Sequence, residues 1–171
     1  VLIDHGRSVA SGTPTDLIVA FEALGNQLAV GPWIESAAFL PKVLSGPELE
    51  SLAEGQPATV ALAALAPLAL DADVSASVYA VSGNTVSRVA PGGQHPSVDI
   101  TRRLFEVPGV DQPADFEDAV NLAVLAAAAE LLGAGERLLA DTVAYVSQRK
   151  QYGRIIGSYQ ALKHQLADVR I

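Results

Sequence analysis

Apolar and polar positions divide the chain into three stretches of different period. In the first, Leu17, Ile18, Phe21 and Leu24 recur at helical spacing behind Thr13-Pro14-Thr15-Asp16. That tetrapeptide reads as a helix start: Thr13 caps, Pro14 suits the first helical position, and Asp16 stands where its side chain reaches back to the cap. Gly25 is read as the left-handed stop of this helix. A second helix is predicted near Gly31-Pro32, carrying Trp33, Ile34, Ala37, Ala38 and Leu40 and ending before Pro41. A third is predicted from Glu48 to Glu54, between Gly46-Pro47 and Gly55.

From Ala58 to Val107 the helical period gives way to β-formers, among them Val60, Val74, Val78, Tyr79, Val81, Val86 and Val89. Ser82-Gly83-Asn84 predicts a hairpin turn between the runs 75–81 and 85–89. Pro91-Gly92-Gly93 and Pro96 interrupt the pattern, Arg103 to Val107 makes one more short strand, and Pro108-Gly109-Val110-Asp111-Gln112-Pro113 is a linker. A sheet of about four short strands needs the helices to cover it.

The last stretch is the most regular. Phe116 to Ser147 contains no proline and predicts a helix of about 30 residues, roughly 45 Å long. It is apolar on nearly all sides from Leu122 to Ala129, so it is expected to be buried centrally. Gly133, Ala134 and Gly135 would allow a neighbouring helix to come close. After a break from Gly153 to Gly157, Ser158 is expected to cap a second helix whose Tyr159, Leu162, Leu166 and Val169 form an apolar seam. The seam still runs at Ile171, which is unlike a natural terminus. The resulting division is a helical segment 1–57, a β part 58–110 and a helical hairpin 111–171.

Composition narrows the function classes. The 171 residues are 50% apolar and 18% charged with a mean hydropathy of +0.30, at the apolar end of globular chains, and much of the surface is expected to meet a partner. Nineteen acidic against eleven basic residues leave a net charge of -8, which argues against nucleic acid and anionic membrane as partners. The absence of cysteine removes disulfides, thiolate nucleophiles and Cys-ligated metals, and fits a cytoplasmic location. His5, His95 and His164 lie far apart without metal-ligand spacing, and no apolar run approaches the ~20 residues of a membrane span.

The densest polar cluster flanks the predicted hairpin turn: Gln148, Arg149, Lys150, Gln151, Tyr152 and Arg154, then Gln160, Lys163 and His164. In an acidic chain this is a local reversal of sign. Arginine offers a planar fork for phosphate oxygens, glutamine amide donors, tyrosine a stacking face, and the glycines a tight turn beside a ligand. The same residues also serve a helix C-terminus, where cations complement the dipole and glycine closes the turn.

The run Arg149-Lys150-Gln151-Tyr152-Gly153-Arg154-Ile155-Ile156-Gly157-Ser158-Tyr159-Gln160-Ala161-Leu162-Lys163-His164-Gln165-Leu166-Ala167-Asp168 closely resembles the helical-hairpin signature of the acyl-CoA dehydrogenase family. Ala128, Gly133, Arg137 and Tyr145 fall where that family has its long C-terminal-domain helix. Glu22-Ala23-Leu24-Gly25, Gly31-Pro32 and Leu40-Pro41 are similar to its N-terminal helices. Ala72-Asp73 to Val81 and Ser97-Val98-Asp99 to Val107 resemble the second half of its β domain. The resemblance implies a mainly α fold with a small β part: N-terminal helices, an abbreviated middle β domain and a C-terminal helical-bundle hairpin.

It also implies FAD at a subunit interface, with Arg149, Tyr152 and Gln160, and Gln151 beside them, touching the adenosine diphosphate half of a flavin bound mainly by the neighbouring subunit. The implied reaction belongs to fatty-acid and lipid metabolism. A carboxylate takes the pro-R α-proton of an acyl-CoA thioester while the β-hydride passes to flavin N5, giving a trans-2-enoyl-CoA. An electron-transfer flavoprotein or a similar acceptor completes the cycle. A homo- or hetero-oligomer, dimer or tetramer, is expected.

The departures from the family pattern are specific. The family's catalytic glutamate falls past Ile171, and an alternative position for the base, near Ala123, is not acidic. Glu130 and Glu136 read as solvated or interface carboxylates, so no catalytic residue is assigned. The family's Thr-Glu-Pro and Gly-Ser-Asp elements are missing between Gly55 and Leu70, and the chain begins at Val1 and contains no methionine. Either the sequence is part of a longer dehydrogenase, or it is a reduced subunit completing the flavin site of a larger partner. Some actinobacterial heteromers acting on steroid side-chain thioesters are of the second kind. A helical interaction module without flavin, and a flavin oxidase or monooxygenase on the same fold, stay open.

Overall fold

The computed structural model describes residues 12–63, 65–111 and 115–170. His5, Gln112 and Pro113 of the expected linker, and Ile171 at the end of the expected seam lie outside the described residues. Helix α1, Pro14–Asn26, starts as its sequence dictates. The Thr13 N–H and hydroxyl donate to Asp16 Oδ2 at 2.6 and 2.8 Å, and the Asp16 N–H donates to Thr13 Oγ1 at 3.3 Å. These bonds hold the Asp16 carboxyl below its ordinary range. The expected stop is displaced: the helix continues past Gly25, Gln27 caps it, and the left-handed residue is Leu28 at φ 50°. Gly25 serves packing instead, since a Cβ there would run into the backbone carbonyl of Glu130.

Helix α2 continues through Pro41, where the sequence predicts a stop. Its π-helical segment Glu35–Phe39 runs directly into the α-helical Leu40–Val43. The wider π turn pairs the Leu40 N–H with the Glu35 carbonyl, so the ladder shifts register just before Pro41, which has no N–H to offer. Helix α3, Gly46–Ala53, begins two residues ahead of its expected start at Glu48.

The β part is two small sheets. One holds β1 (Ala58–Ala61), β3 (Ser77–Ser82) and β4 (Thr85–Arg88) in the order β1-β3-β4, with β1 and β3 parallel and β3 and β4 a hairpin closed through Gly83 at φ 54°. The other orders β2 (Ala69–Leu70), β6 (Leu104–Phe105) and β5 (Gln94–His95) antiparallel. Buried Asp71 ties the second sheet together: its N–H donates to the Arg103 carbonyl at 2.7 Å, its Oδ1 accepts from the Arg103 N–H at 3.1 Å, and Arg103 Nη1 reaches Asp73 at 2.8 Å. Ser36 joins helix to sheet, donating to the Ala58 carbonyl at 2.6 Å and accepting from the Ala58 N–H at 2.9 Å.

Helix α4, Glu117–Gln148, is the axis of the molecule. Its buried residues Ala119, Leu122, Ala126, Ala129 and Gly133 alternate steps of three and four, a single stripe along one face. The start of the stripe joins Phe39, Leu40, Leu49, Val60, Tyr79 and Val81 in one core, where the Phe39 and Phe116 rings meet edge to face at 6.2 Å. The middle packs against Leu17 and Phe21 of α1 and Ala38 of α2. Central burial is not what the described chain provides. Val124, Leu131, Leu132, Leu138 and Val143 are exposed, because the described elements cover only the stripe. The small residues act as expected: a Cβ on Gly133 would run into the Glu22 carbonyl of α1.

Three expectations follow. Gly133→Ala forces the two helix backbones apart and should lower unfolding free energy by about 3 kcal/mol, read by urea denaturation. Thr59 has no solvent exposure and its hydroxyl has no hydrogen-bond partner among the described residues, so Thr59→Val should stabilise by about 1 kcal/mol in the same assay. Burial pushes the Glu35 carboxyl above its ordinary range; its own backbone bond and Arg102 pull it down, while Glu130 and Asp71 add to the rise. The folded state therefore holds this proton more tightly than the unfolded chain. Stability from this group is fully present below the ordinary glutamate value and falls as pH rises through the raised one, a slope that Glu35→Gln should flatten.

Candidate functional site

The polar cluster at the end of α4 forms a compact projecting ribbon. The Arg149 N–H donates to the Tyr145 carbonyl at 2.9 Å and closes the helix, while the Arg149 carbonyl accepts from the Ile156 N–H at 2.9 Å. Between these bonds β7 (Lys150–Gln151) pairs antiparallel with β8 (Arg154–Ile155), Lys150 opposite Ile155 and Gln151 opposite Arg154. The connection is Tyr152 at φ 51° and Gly153 at φ 78°, a two-residue loop with both residues left-handed, as a tightly twisted hairpin requires. A 3-10 turn, Ile156–Ser158, leads to α5, Gln160–Arg170. Gly157 seats the base of the ribbon on α4, where a Cβ would lie 2.9 Å from the Val146 carbonyl.

Two expectations are adjusted here. The Ser158 hydroxyl donates backward to the Ile155 carbonyl at 2.6 Å instead of capping α5, which begins at Gln160. The backward bond wins because the 3-10 turn places that carbonyl within reach. The seam of α5 is also only partly covered: Tyr159, Leu162 and Leu166 are half-buried and Val169 is exposed.

Arg149, Gln151 and Tyr152 come together on the ribbon, and Gln160 stands at the first residue of α5, just past the turn. All four are exposed, Tyr152 at 91%. Gln160 Nε2 lies 3.1 Å from His164 Nε2, one helical turn on. Sequence reasoning missed one contact: the Arg154 guanidinium sits over the Tyr159 ring at 3.9 Å, bracing β8 against the start of α5. An arginine and an aromatic flanking a short turn are its only trace in the sequence.

The ribbon is where cations gather. Arg102, Arg103 and Arg137 each have a carboxylate within 4 Å, whereas among the described residues Arg149, Lys150 and Arg154 pair with none. In a chain of net charge -8, three cations are thus concentrated at one exposed tip. The donor set suits a diphosphate: a bidentate guanidinium, an ammonium, amide donors and an exposed aromatic face.

The carboxylates weighed as acid-base groups lie elsewhere. Glu130 is beside Arg102, Glu136 is exposed, and the position near the start of α4 that could carry a base is Ala123, packed against the core. Among the described residues no group of three or more His, Cys, Asp or Glu side chains is placed to hold a metal. Among the same residues no helix is long and apolar enough to cross a membrane.

Comparison with known proteins follows the same lines. Residues 116–171 match the family model described as acyl-CoA dehydrogenase, C-terminal domain. The chain is 36% identical over 171 residues to acyl-CoA dehydrogenase IpdE2 of Mycolicibacterium smegmatis, covering 95% of this chain and 54% of that protein. It spans about half the length of the curated relatives it matches. Apo-form PigA superimposes with a TM-score of 0.72 at 17% identity, over 99% of this chain and 62% of PigA. The ChsE4-ChsE5 complex from Mycobacterium tuberculosis gives a TM-score of 0.60 at 23% identity, over 91% of this chain and 56% of the matched chain. These two likenesses show the fold, and the sequence matches assign the lineage. The chain belongs to the acyl-CoA dehydrogenase family.

Proposed function

We infer that this chain is part of an acyl-CoA dehydrogenase-like flavoprotein, acting in α,β-dehydrogenation of an acyl-CoA thioester, and that its ribbon holds the adenosine diphosphate half of FAD. The observation that carries the reading is the tip itself: Arg149 and Lys150, without carboxylate partners among the described residues, stand beside an outward-facing Tyr152. PigA, which has the same fold, has been solved with FAD and proline. Bound FAD supplies a two-electron hydride acceptor. Arg149 would hold the diphosphate by charge-assisted hydrogen bonds, Tyr152 would stack on the adenine, and Gln151 and Gln160 would donate amide hydrogens to the remaining polar edges.

The residues of the ribbon are exposed, so the rest of such a site lies outside the described residues, and the family resemblance puts it on a neighbouring subunit. The exposed apolar side of α4, with Leu131, Leu132, Leu138 and Val143, supports an oligomer, dimeric or tetrameric. An electron-transfer flavoprotein or similar acceptor would reoxidise the flavin.

A second reading is favoured by Ala123. No carboxylate occupies that position on α4, and the matched ChsE4-ChsE5 structure is a complex of two differently named chains. On this reading the chain completes the flavin site of a larger partner that supplies the base.

Arg149→Ala should weaken flavin retention by about five- to 150-fold, equivalent to about 1–3 kcal/mol, measured as flavin absorbance per chain after gel filtration of the oligomer. Unchanged occupancy would overturn the assignment of the ribbon. Dehydrogenation of acyl-CoA only when a second, larger chain is present would select the partner-subunit reading.

A further inference from the structure

We propose that His164 is a positioning residue: its protonation state decides which end of the Gln160 amide is free for the bound nucleotide, so that FAD is held more tightly as pH falls. The inference rests on the ribbon's holding the adenosine diphosphate half of FAD. Gln160 Nε2 and His164 Nε2 stand 3.1 Å apart, one turn from each other on the exposed side of α5. An amide nitrogen donates and does not accept, so the imidazole nitrogen at that distance is the acceptor and carries no hydrogen. The imidazole of this contact is therefore neutral, with its hydrogen on Nδ1. A phosphate oxygen accepts hydrogen bonds, and it needs the very end of the amide that the neutral ring holds.

Protonation reverses the contact. An imidazolium has two N–H donors and no acceptor, so it must be met by Gln160 Oε1, and a half-turn of the amide frees both amide hydrogens for a ligand. The same proton places a positive charge one helical turn from Gln160. Both effects favour an anionic diphosphate, and both come from the side chain whose charge changes nearest neutral pH. On α5 the charged neighbours of His164 are Lys163 and Asp168, and among the described residues no carboxylate lies within 4 Å of its ring. The 3-10 turn Ile156–Ser158 brings no titratable group, and Arg154 is held over the Tyr159 ring. Helix α4 meets α5 on another face, where Lys163, Leu166 and Arg170 line the groove and Glu136 is the carboxylate facing it, while Arg137 and Asp141 pair with each other at 2.8 Å.

FAD is the probe, because its bridging diphosphate has no terminal phosphate to titrate near neutral pH. Its dissociation constant from the purified full chain is read by quenching of flavin fluorescence between about pH 5.5 and about pH 8.0, the range in which histidine titrates. The unsubstituted chain should bind about fivefold more tightly at the acid end. His164→Gln, whose amide donates and accepts at either pH, should flatten the profile, and Gln160→Leu should remove most of it; circular dichroism at both ends of the range checks that the exposed substitutions leave the helices intact. A flat profile in the unsubstituted chain, the same slope in His164→Gln, or an undiminished slope in Gln160→Leu would each overturn the proposal. Arg149→Ala separates the two readings. If it leaves FAD binding unchanged the ribbon assignment fails, and if it weakens binding while the unsubstituted profile is flat, only the role of His164 fails.

Discussion

The structure depends on one close approach, that of the α1 and α4 backbones. Gly25 lies against the Glu130 carbonyl and Gly133 against the Glu22 carbonyl, so each helix presents a glycine to the other's main chain. At those two points the spacing is set by backbone volume and not by side chains. The contact allows the buried stripe of α4 to meet Leu17 and Phe21 with residues as small as Ala126 and Ala129 between them. A long apolar helix with low β-branched content would otherwise find a looser seat, since helix separation scales with the side chains at the crossing.

Everything else is hung on that axis. The first turns of α4 hold the larger sheet through Ala119 and the Phe39–Phe116 contact, and its last turns carry the ribbon through Val146 and Gly157. Core and ribbon are thereby fixed to the two ends of a single 32-residue helix. The exposed apolar side of the same helix lies between them. Any chain that covers that side therefore lies along the helix that carries both.

Legibility in the sequence followed the range of the interaction. Local signals were read correctly where they act locally: the Thr13 capping box, the β3–β4 turn at Gly83 and the proline-free run of α4 all stand as their residues dictate. Glycine was misread at position 25 because the same residue type serves a left-handed stop and a close crossing, and only the partner helix, about a hundred residues away, decides between them. Pro41 was misread because a π segment changes the ladder before the proline, a shift that no residue in 33–43 announces. At the ribbon, Arg149, Gln151, Tyr152 and Gln160 were visible as a charge reversal and a family resemblance. The brace of Arg154 on Tyr159 and the backward bond of Ser158 needed the turn geometry to be seen.

The two-residue loop at the tip of the ribbon has a consequence for substitution. Left-handed backbone is natural at Gly153 but uncommon for a bulky residue, and Tyr152 adopts it with its ring in solvent. Asparagine or glycine would fit that backbone better and shed an exposed aromatic at the same time. A screen for thermal tolerance alone would therefore drift away from tyrosine at this site, whereas selection for contact with another molecule would hold it. The identity of residue 152 across variants thus separates pressure on folding from pressure on recognition.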